Sequence, residues 1–173
     1  MPLFSHCPTC GGPTTPQFEG ESIQHYDCSR CGFRFYSNPA PTATAIIENA
    51  AGEILLTKRV IEPYYGCWDL PGGYIKNGEA PLAALAREIR EELRLQVDVL
   101  GLIDIFPDVY ADPHSHTFNL FYRARYLGGD IRPGDDVGDY CWVQPSQLPA
   151  EMAFNCVRQA ISAYLNLKLS SHV

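Results

Sequence analysis

The segment Pro81–Leu93, reading PLAALAREIREEL, commits this chain to a helix with two unlike faces. Proline is tolerated in a first turn, and alanine, leucine, arginine and glutamate fill the interior with strong helix formers. At about 100° per residue, Leu82, Leu85, Ala86, Ile89 and Leu93 form one apolar stripe, with Glu88, Glu91 and Glu92 together on the adjacent one. The helix must therefore lie against a core and carry its carboxylates at the rim. Three like charges so close repel one another unless a cation or solvent relieves them. A bare E-x-x-E-E also fits an ordinary solvated acidic face. A hard divalent cation is the other resident such oxygens suit, and Mg²⁺ or Mn²⁺ bound this way completes its shell with water and substrate phosphate.

The surrounding residues decide between these. Gly73, Glu79, Arg87, Glu88, Ile89, Glu91, Glu92 and Leu95 stand at the spacing G-x5-E-x7-R-E-U-x-E-E-x-x-U, where U is aliphatic. This resembles the signature of the Nudix hydrolases, with one departure: Arg94 occupies the position that the signature gives to glycine. The approach Trp68-Asp69-Leu70-Pro71-Gly72-Gly73 is similar to the family's W-x-L-P-G-G, and a glycine pair lets backbone come close to a metal or phosphate. The resemblance implies an α/β fold, a Nudix-type α/β/α sandwich with a mixed sheet. It implies that the Gly73 carbonyl, Glu88, Glu91 and Glu92 hold catalytic Mg²⁺ or Mn²⁺ and that Arg87 orients a glutamate. Glu79 is expected to brace the loop and the helix start.

A second feature lies at the N-terminus. Cys7-Pro-Thr-Cys10 and Cys28-Ser-Arg-Cys31 are two C-x2-C knuckles seventeen residues apart, each followed by glycine. That pattern fits a tetrahedral Cys₄ zinc ribbon, with four protein ligands and no open position for water, so the zinc is read as structural. His6 and His25 lie near the knuckles and are read as solvated bystanders. Cys67, Cys141 and Cys156 are isolated in apolar surroundings and are read as reduced core thiols.

With 173 residues the chain allows one ordinary domain and a small module, and 46% apolar residues suffice for a core. The expected division is a zinc ribbon over 1–37 and a catalytic domain over 38–173, hinged at Asn38-Pro39-Ala40-Pro41. The first residues lack a signal-peptide pattern and no stretch reaches the length of an apolar membrane span, so a cytoplasmic protein without a membrane partner is expected. Net charge is −7, and up to Tyr36 the ribbon sets Glu19, Glu21 and Asp27 against Arg30 and Arg34. A nucleic-acid partner is not expected, because such ribbons carry a basic footprint. Family resemblance leaves room for a ribbon-mediated homodimer.

Strands are expected over 42–47, 54–59, 97–105, 117–126 and 140–143. Ala153, Val157, Ala160, Ile161 and Tyr164 recur at helical spacing and predict a closing helix. Hydrolysis of a phosphoanhydride needs a base, for which Glu91 and Glu92 are candidates. Some family members use a later acidic residue, and Asp139 and Asp136, three and six before Trp142, resemble that stretch, with Asp139 preferred.

The order ribbon then Nudix domain is similar to the NADH pyrophosphatase group. That group's S-Q-P-W-P-F-P signature is missing, so specificity for reduced NAD is not carried over. Tyr36-Ser-Asn38-Pro39, Arg59, Pro63, Gly66, Trp68 and Ala153-Phe154 match better the ribbon-bearing set acting on ADP-ribose or FAD. The expected activity is cleavage of a nucleoside diphosphate linked to another moiety into two monophosphates. Phe106, Tyr110 and Phe118 are candidates to stack a base, and His114 and His116 to touch phosphate. Two alternatives stay open: a nucleoside triphosphate pyrophosphohydrolase, and a non-catalytic Nudix domain that senses a ligand.

Overall fold

The structure, a computed structural model, describes residues 4–110 and 115–170. The chain divides into two compact units, Met1–Pro39 with Val109–His116, and Ala40–Asp108 with Thr117–Val173.

In the first unit, strands β1 (Thr14–Glu19), β2 (Ser22–Cys28) and β3 (Arg34–Tyr36) form an antiparallel sheet in the order β1-β2-β3. Its apolar core is small: Ile23 and Tyr26 are buried, and the Phe4 ring packs on Tyr26 and Phe35. So little buried surface does not hold so short a segment by itself, and a metal cross-link would supply what the core lacks.

The second unit is built on a seven-stranded sheet. Strands β4 (Ala40–Glu48), β5 (Ile54–Arg59), β8 (Val97–Val109), β9 (His116–Tyr126) and β10 (Val137–Val143) run in the order β10-β5-β4-β9-β8. β4 pairs with β9 in parallel and β5 with β10 antiparallel, so the sheet is mixed. Helices α1 (Pro81–Leu93) and α2 (Asn155–Ser170) cover its two faces. The alternation along the strands decides which side chains meet which helix. Ala43, Ala45, Ile47, Leu55, Tyr122 and Ala124 pack with Leu85, Ile89 and Leu93 of α1. Ile46, Ile54, Leu56 and Phe121 pack with Val157, Ile161 and Tyr164 of α2. The α/β/α sandwich expected from the sequence is thus present.

β4 and β5 join through Asn49–Gly52 but stay paired only at Glu48 and Ile54 before they splay apart. Two short strands fill the fork: β6 (Trp68–Asp69) pairs with β5, and β7 (Gly72–Tyr74) with β4. Between them the Pro71 carbonyl accepts the Ala45 N–H at 2.9 Å. These strands were not foreseen, because two or three residues carry no readable alternation.

Three differences from expectation have local causes. The buried face of α1 is Ala84, Leu85, Ile89, Glu92 and Leu93, with Leu82 and Ala86 exposed. The helix is rolled so that one glutamate, Glu92, turns inward to the Gly72 N–H. α2 begins at Asn155 and not at Ala153, whose N–H bonds the Trp68 carbonyl in the preceding loop. Its first turn is capped from afar: the Asp108 carboxylate accepts the Cys156 N–H at 2.8 Å. His25 is nearly buried, with Nε2 3.5 Å from Asp27 and its ring against Tyr36.

At the end of α1, Arg94 adopts the left-handed conformation (φ 59°, ψ 26°) and its N–H bonds the Arg90 carbonyl. The chain keeps the backbone that glycine would take and places arginine on it, at about 1 kcal/mol of strain. The last free carbonyls of the helix are met from outside, Glu92 by the Gly134 N–H at 2.8 Å and Leu93 by the Arg132 N–H at 3.0 Å. Arg94→Gly is expected to stabilise the protein by about 0.5–1 kcal/mol, seen as a rise of roughly 1–4 °C in the thermal midpoint. Asp108→Ala is expected to lower it by about the same or more, through loss of the α2 cap.

Candidate active site

The fork brings the glycine pair onto α1. A Cβ at Gly72, whose φ is 146°, would lie 2.3 Å from the Ala43 carbonyl oxygen, and one at Gly73 would lie 2.8 Å from the Glu88 carboxyl carbon. Gly72 is closed by backbone to any larger residue, and Gly73 is placed directly against a carboxylate. The Gly72 N–H donates to Glu92 Oε2 at 3.1 Å.

Arg87 ties the remaining carboxylates together. Its Nε and Nη2 donate to the two oxygens of Glu79, each at 2.8 Å, in a bidentate pair. Its Nη1 donates to Glu88 at 2.6 Å and to Glu91 at 3.1 Å, and Nη2 also reaches the Tyr74 carbonyl at 3.0 Å. One guanidinium therefore fixes the loop after β7, the entry to α1 and two glutamates of its acidic face. Glu79 braces the helix start as expected: it accepts the Lys76 N–H at 3.0 Å, and its ion pair with Arg87 brings its carboxyl down to about 2.

The acid groups facing the fork behave differently. Burial pushes Glu92 well above the usual carboxylate range, reinforced by the charge of Asp136, while the Gly72 N–H opposes it. Glu88 is raised by burial despite Arg87. Asp69 is raised to about 6 by burial, although the Leu70 N–H and the Arg59 guanidinium, 3.3 Å from its Oδ2, favour its charge. Several buried carboxylates that resist ionising together, next to open glycine backbone, make an oxygen-donor set suited to a hard divalent cation. Glu88, Glu91 and Glu92 would hold it, with the Gly73 backbone beside them.

Of the two later aspartates, it is Asp136 that the structure brings to this group. Its charge acts on Glu92 and Asp69, and burial raises its own carboxyl. Asp139 sits on β10 with Oδ1 accepting the Tyr140 N–H at 2.8 Å, and it is exposed. A bulge between Val137 and Asp139 separates the two environments.

The sulfur cluster is complete. The four Sγ atoms of Cys7, Cys10, Cys28 and Cys31 lie within 4.8 Å of one another, with Cys7–Cys31 at 3.8 Å and Cys10–Cys28 at 3.6 Å. A tetrahedron of sulfurs about 2.3 Å from a central zinc has edges of about 3.8 Å, far longer than a disulfide bond of about 2.05 Å. Burial would raise the Cys7 thiol, yet backbone hydrogen bonds at Thr9 and Cys10 outweigh it and bring Cys7 down to about 6. A backbone hydrogen bond at Phe33 favours the Cys31 thiolate, but the sulfurs around it push it up to about 12. Four thiolates do not form together without a cation among them, which is the condition zinc meets. Neither His6 nor His25 joins the cluster.

The other residues singled out lie as follows. Phe106 packs on Phe121, ring centroids 6.0 Å apart, in the α2-side core. Phe118 is exposed on β9, His116 is exposed at its start, and the Tyr110 N–H bonds the Ser115 carbonyl. His114 lies outside the described residues. Cys156 is a buried free thiol, whereas Cys67 and Cys141 are half-buried.

The chain is similar to known proteins over most of its length. The sequence profile of the NUDIX domain matches residues 38–163. The chain is 34% identical over 123 residues to a protein of Methanocaldococcus jannaschii named ADP-ribose pyrophosphatase, covering 71% of this chain and 72% of that one. It is 30% identical over 164 residues to NAD-capped RNA hydrolase NudC of Stutzerimonas stutzeri, covering 92% of this chain but 53% of the relative, about half its length. Among solved structures, a NUDIX hydrolase from Nitrosomonas europaea superposes with a TM-score of 0.76 at 28% identity, covering 94% of this chain and 91% of that one.

Glu92 gives a direct test of the cation site. A buried acid with a raised pKa binds more protons in the folded state, so its contribution to stability falls as pH rises above its unfolded value of about 4.3. In metal-free protein, Glu92→Gln is expected to raise the thermal midpoint at pH 7–8 and to leave it nearly unchanged at pH 4. The same variant should abolish the stabilisation that millimolar Mg²⁺ or Mn²⁺ gives the wild type. Thermal melts with chelator and with added metal read both.

Proposed function

The chain belongs to the Nudix hydrolase family, and on that footing we propose that it is a divalent-metal-dependent pyrophosphohydrolase that cleaves a nucleoside diphosphate linked to another moiety into two monophosphates. ADP-ribose, FAD and NADH typify the substrate class. The observation that carries this reading is the single guanidinium of Arg87 holding Glu79, Glu88 and Glu91 at 2.6–3.1 Å, with Glu92 anchored to the Gly72 N–H. The ligand-sensing alternative is the weaker one, because the chain retains Glu79, Arg87, Glu88, Glu91 and Glu92.

Glu88, Glu91, Glu92 and the Gly73 carbonyl are the residues that would hold Mg²⁺ or Mn²⁺. When bound, such ions neutralise the crowded phosphate oxygens and acidify the attacking water. Arg87 keeps Glu88 and Glu91 from recoiling and so sets their spacing before any ligand arrives. Glu91, 39% exposed where Glu88 and Glu79 are closed in, is the carboxylate able to reach a solvent-derived nucleophile and is assigned as general base. Glu92 is placed to bind and not to shuttle protons, because it is buried and its oxygen is occupied by the Gly72 N–H. Asp136, whose charge acts on Glu92 and Asp69, is assigned alongside this group in preference to the exposed Asp139.

Residues 1–37 are assigned as a structural zinc ribbon through Cys7, Cys10, Cys28 and Cys31, and 38–173 as the hydrolase domain. No helix among the described residues is long and apolar enough to cross a membrane. A cytoplasmic location and a ribbon-mediated homodimer accompany this reading as proposals.

With ADP-ribose and Mg²⁺ or Mn²⁺, the expected products are AMP and ribose 5-phosphate in equal amounts. Release of pyrophosphate from nucleoside triphosphates, with dinucleotides untouched, would instead support the triphosphate reading. Glu91→Gln is expected to lower kcat by roughly 10²–10⁴-fold, with metal affinity weakened but not lost because Glu88, Glu92 and the Gly73 carbonyl remain. Arg87→Ala should lower activity by a similar amount. A separate check is metal content: one zinc per chain, lost together with the ordered ribbon in Cys28→Ser.

A further inference from the structure

The loop between β5 and β6 carries a feature that hydrolysis of a phosphoanhydride does not require. Its ends are closed by the Arg59 N–H on the Cys67 carbonyl at 3.0 Å and the Gly66 N–H on the Arg59 carbonyl at 2.9 Å. Within it, Tyr64 has a left-handed backbone, with φ at 66°. Glycine or asparagine would make this turn with less strain, and turn closure does not call for a ring. The tyrosine ring stands edge-on to Phe154, centroids 5.0 Å apart and planes at 77°. The Arg59 guanidinium lies 5.3 Å from the Phe154 ring centroid. Arg59 is itself held, by Asp69 at 3.3 Å and by the Pro63 carbonyl at 3.0 Å, and its side chain is only 12% exposed. The tier Arg59, Phe154, Tyr64 is therefore rigid at its base, yet Tyr64 remains 41% exposed at its top.

This tier is connected to the carboxylates by two separate routes. Along one, the Val60 N–H bonds the Asp136 carbonyl at 2.9 Å, and two residues earlier the Gly134 N–H bonds the Glu92 carbonyl. Along the other, Asp69 holds Arg59 and is three residues from Gly72, whose N–H bonds the Glu92 carboxylate. A strained, half-exposed aromatic, stiffened from below and fixed to the catalytic frame, is arranged as a surface for a flat ligand.

We propose that Tyr64, supported by Phe154 and Arg59, is a specificity-determining residue that stacks the base of the nucleotide half of the substrate. The inference rests on the pyrophosphohydrolase reading above for the identity of that substrate. It places base recognition on the β5–β6 loop, and not on Phe106, which is committed to the core. Stacking on an aromatic ring tolerates different bases, so this surface selects for a base over a bare sugar phosphate more than for one base over another.

Calorimetric titration with AMP and with ribose 5-phosphate tests this without any need for turnover. The variants are Tyr64→Gly, which removes the ring while relieving the backbone, and Tyr64→Phe, which keeps it. Tyr64→Gly is expected to fold with an unreduced thermal midpoint, to bind AMP roughly tenfold more weakly, and to bind ribose 5-phosphate as the wild type does. Tyr64→Phe should bind AMP within about twofold of wild type. Unchanged AMP affinity in folded Tyr64→Gly, or equal weakening for both ligands, would overturn the inference. Failure of the wild type to hydrolyse any dinucleotide would instead count against the pyrophosphohydrolase reading, and the AMP titration would still decide the role of Tyr64.

Discussion

The Arg87 guanidinium is the point on which the rest of the site turns. Three helix glutamates on neighbouring positions would otherwise spread apart or take up protons, and the loop after β7 would have no fixed relation to the helix. Five donors in a rigid plane can serve two oxygens of Glu79, one each of Glu88 and Glu91, and the Tyr74 carbonyl at once. Lysine, a point charge on a flexible stem, has too few donors and no fixed plane. The folded chain thus holds Glu79, Glu88 and Glu91 near one another by partnering them, and leaves the more deeply buried Glu92 to the Gly72 N–H.

The sheet contributes by failing to close. β4 and β5 part after Glu48 and Ile54, and the segment from Trp68 to Tyr74 occupies the opening as two short strands. Its residues are held from outside: Gly72 by Ala43 and Thr44, Pro71 by the Ala45 N–H, Asp69 by Arg59. Backbone that would be a free loop on another protein is here part of the sheet. The glycines approach α1 because the fork leaves no room for a side chain, and the same crowding aims the Gly72 N–H at Glu92.

Much of this was legible in the sequence. The residues from Gly73 to Glu92 pointed to the helix, the carboxylate set and the family, and the paired knuckles to the sulfur cluster, because in both cases fixed spacing translates directly into shared direction. What could not be read depends on tertiary packing. The roll of α1 that buries Glu92 and exposes Leu82 follows from the Gly72 contact, which has no local signal. Counting back from Trp142 favoured Asp139. The bulge at Gly138, where a side chain would run into Val60, breaks that count, leaving Asp139 exposed while the charge of Asp136 acts on Glu92. The left-handed backbone at Tyr64 was equally silent, whereas at Arg94 the glycine of the signature marks the position.

The closure of the β5–β6 loop at its own base separates two kinds of change. Because Arg59 bonds both Cys67 and Gly66, the segment between them hangs from a fixed neck. Exposed side chains such as those at 61, 64 and 65 can be exchanged above that neck without shifting Trp68 or the glycines beyond it, whereas one residue inserted between Trp68 and Tyr74 would throw the fork out of register. Descent with modification can therefore rework what the enzyme recognises while the chemistry it performs is inherited intact.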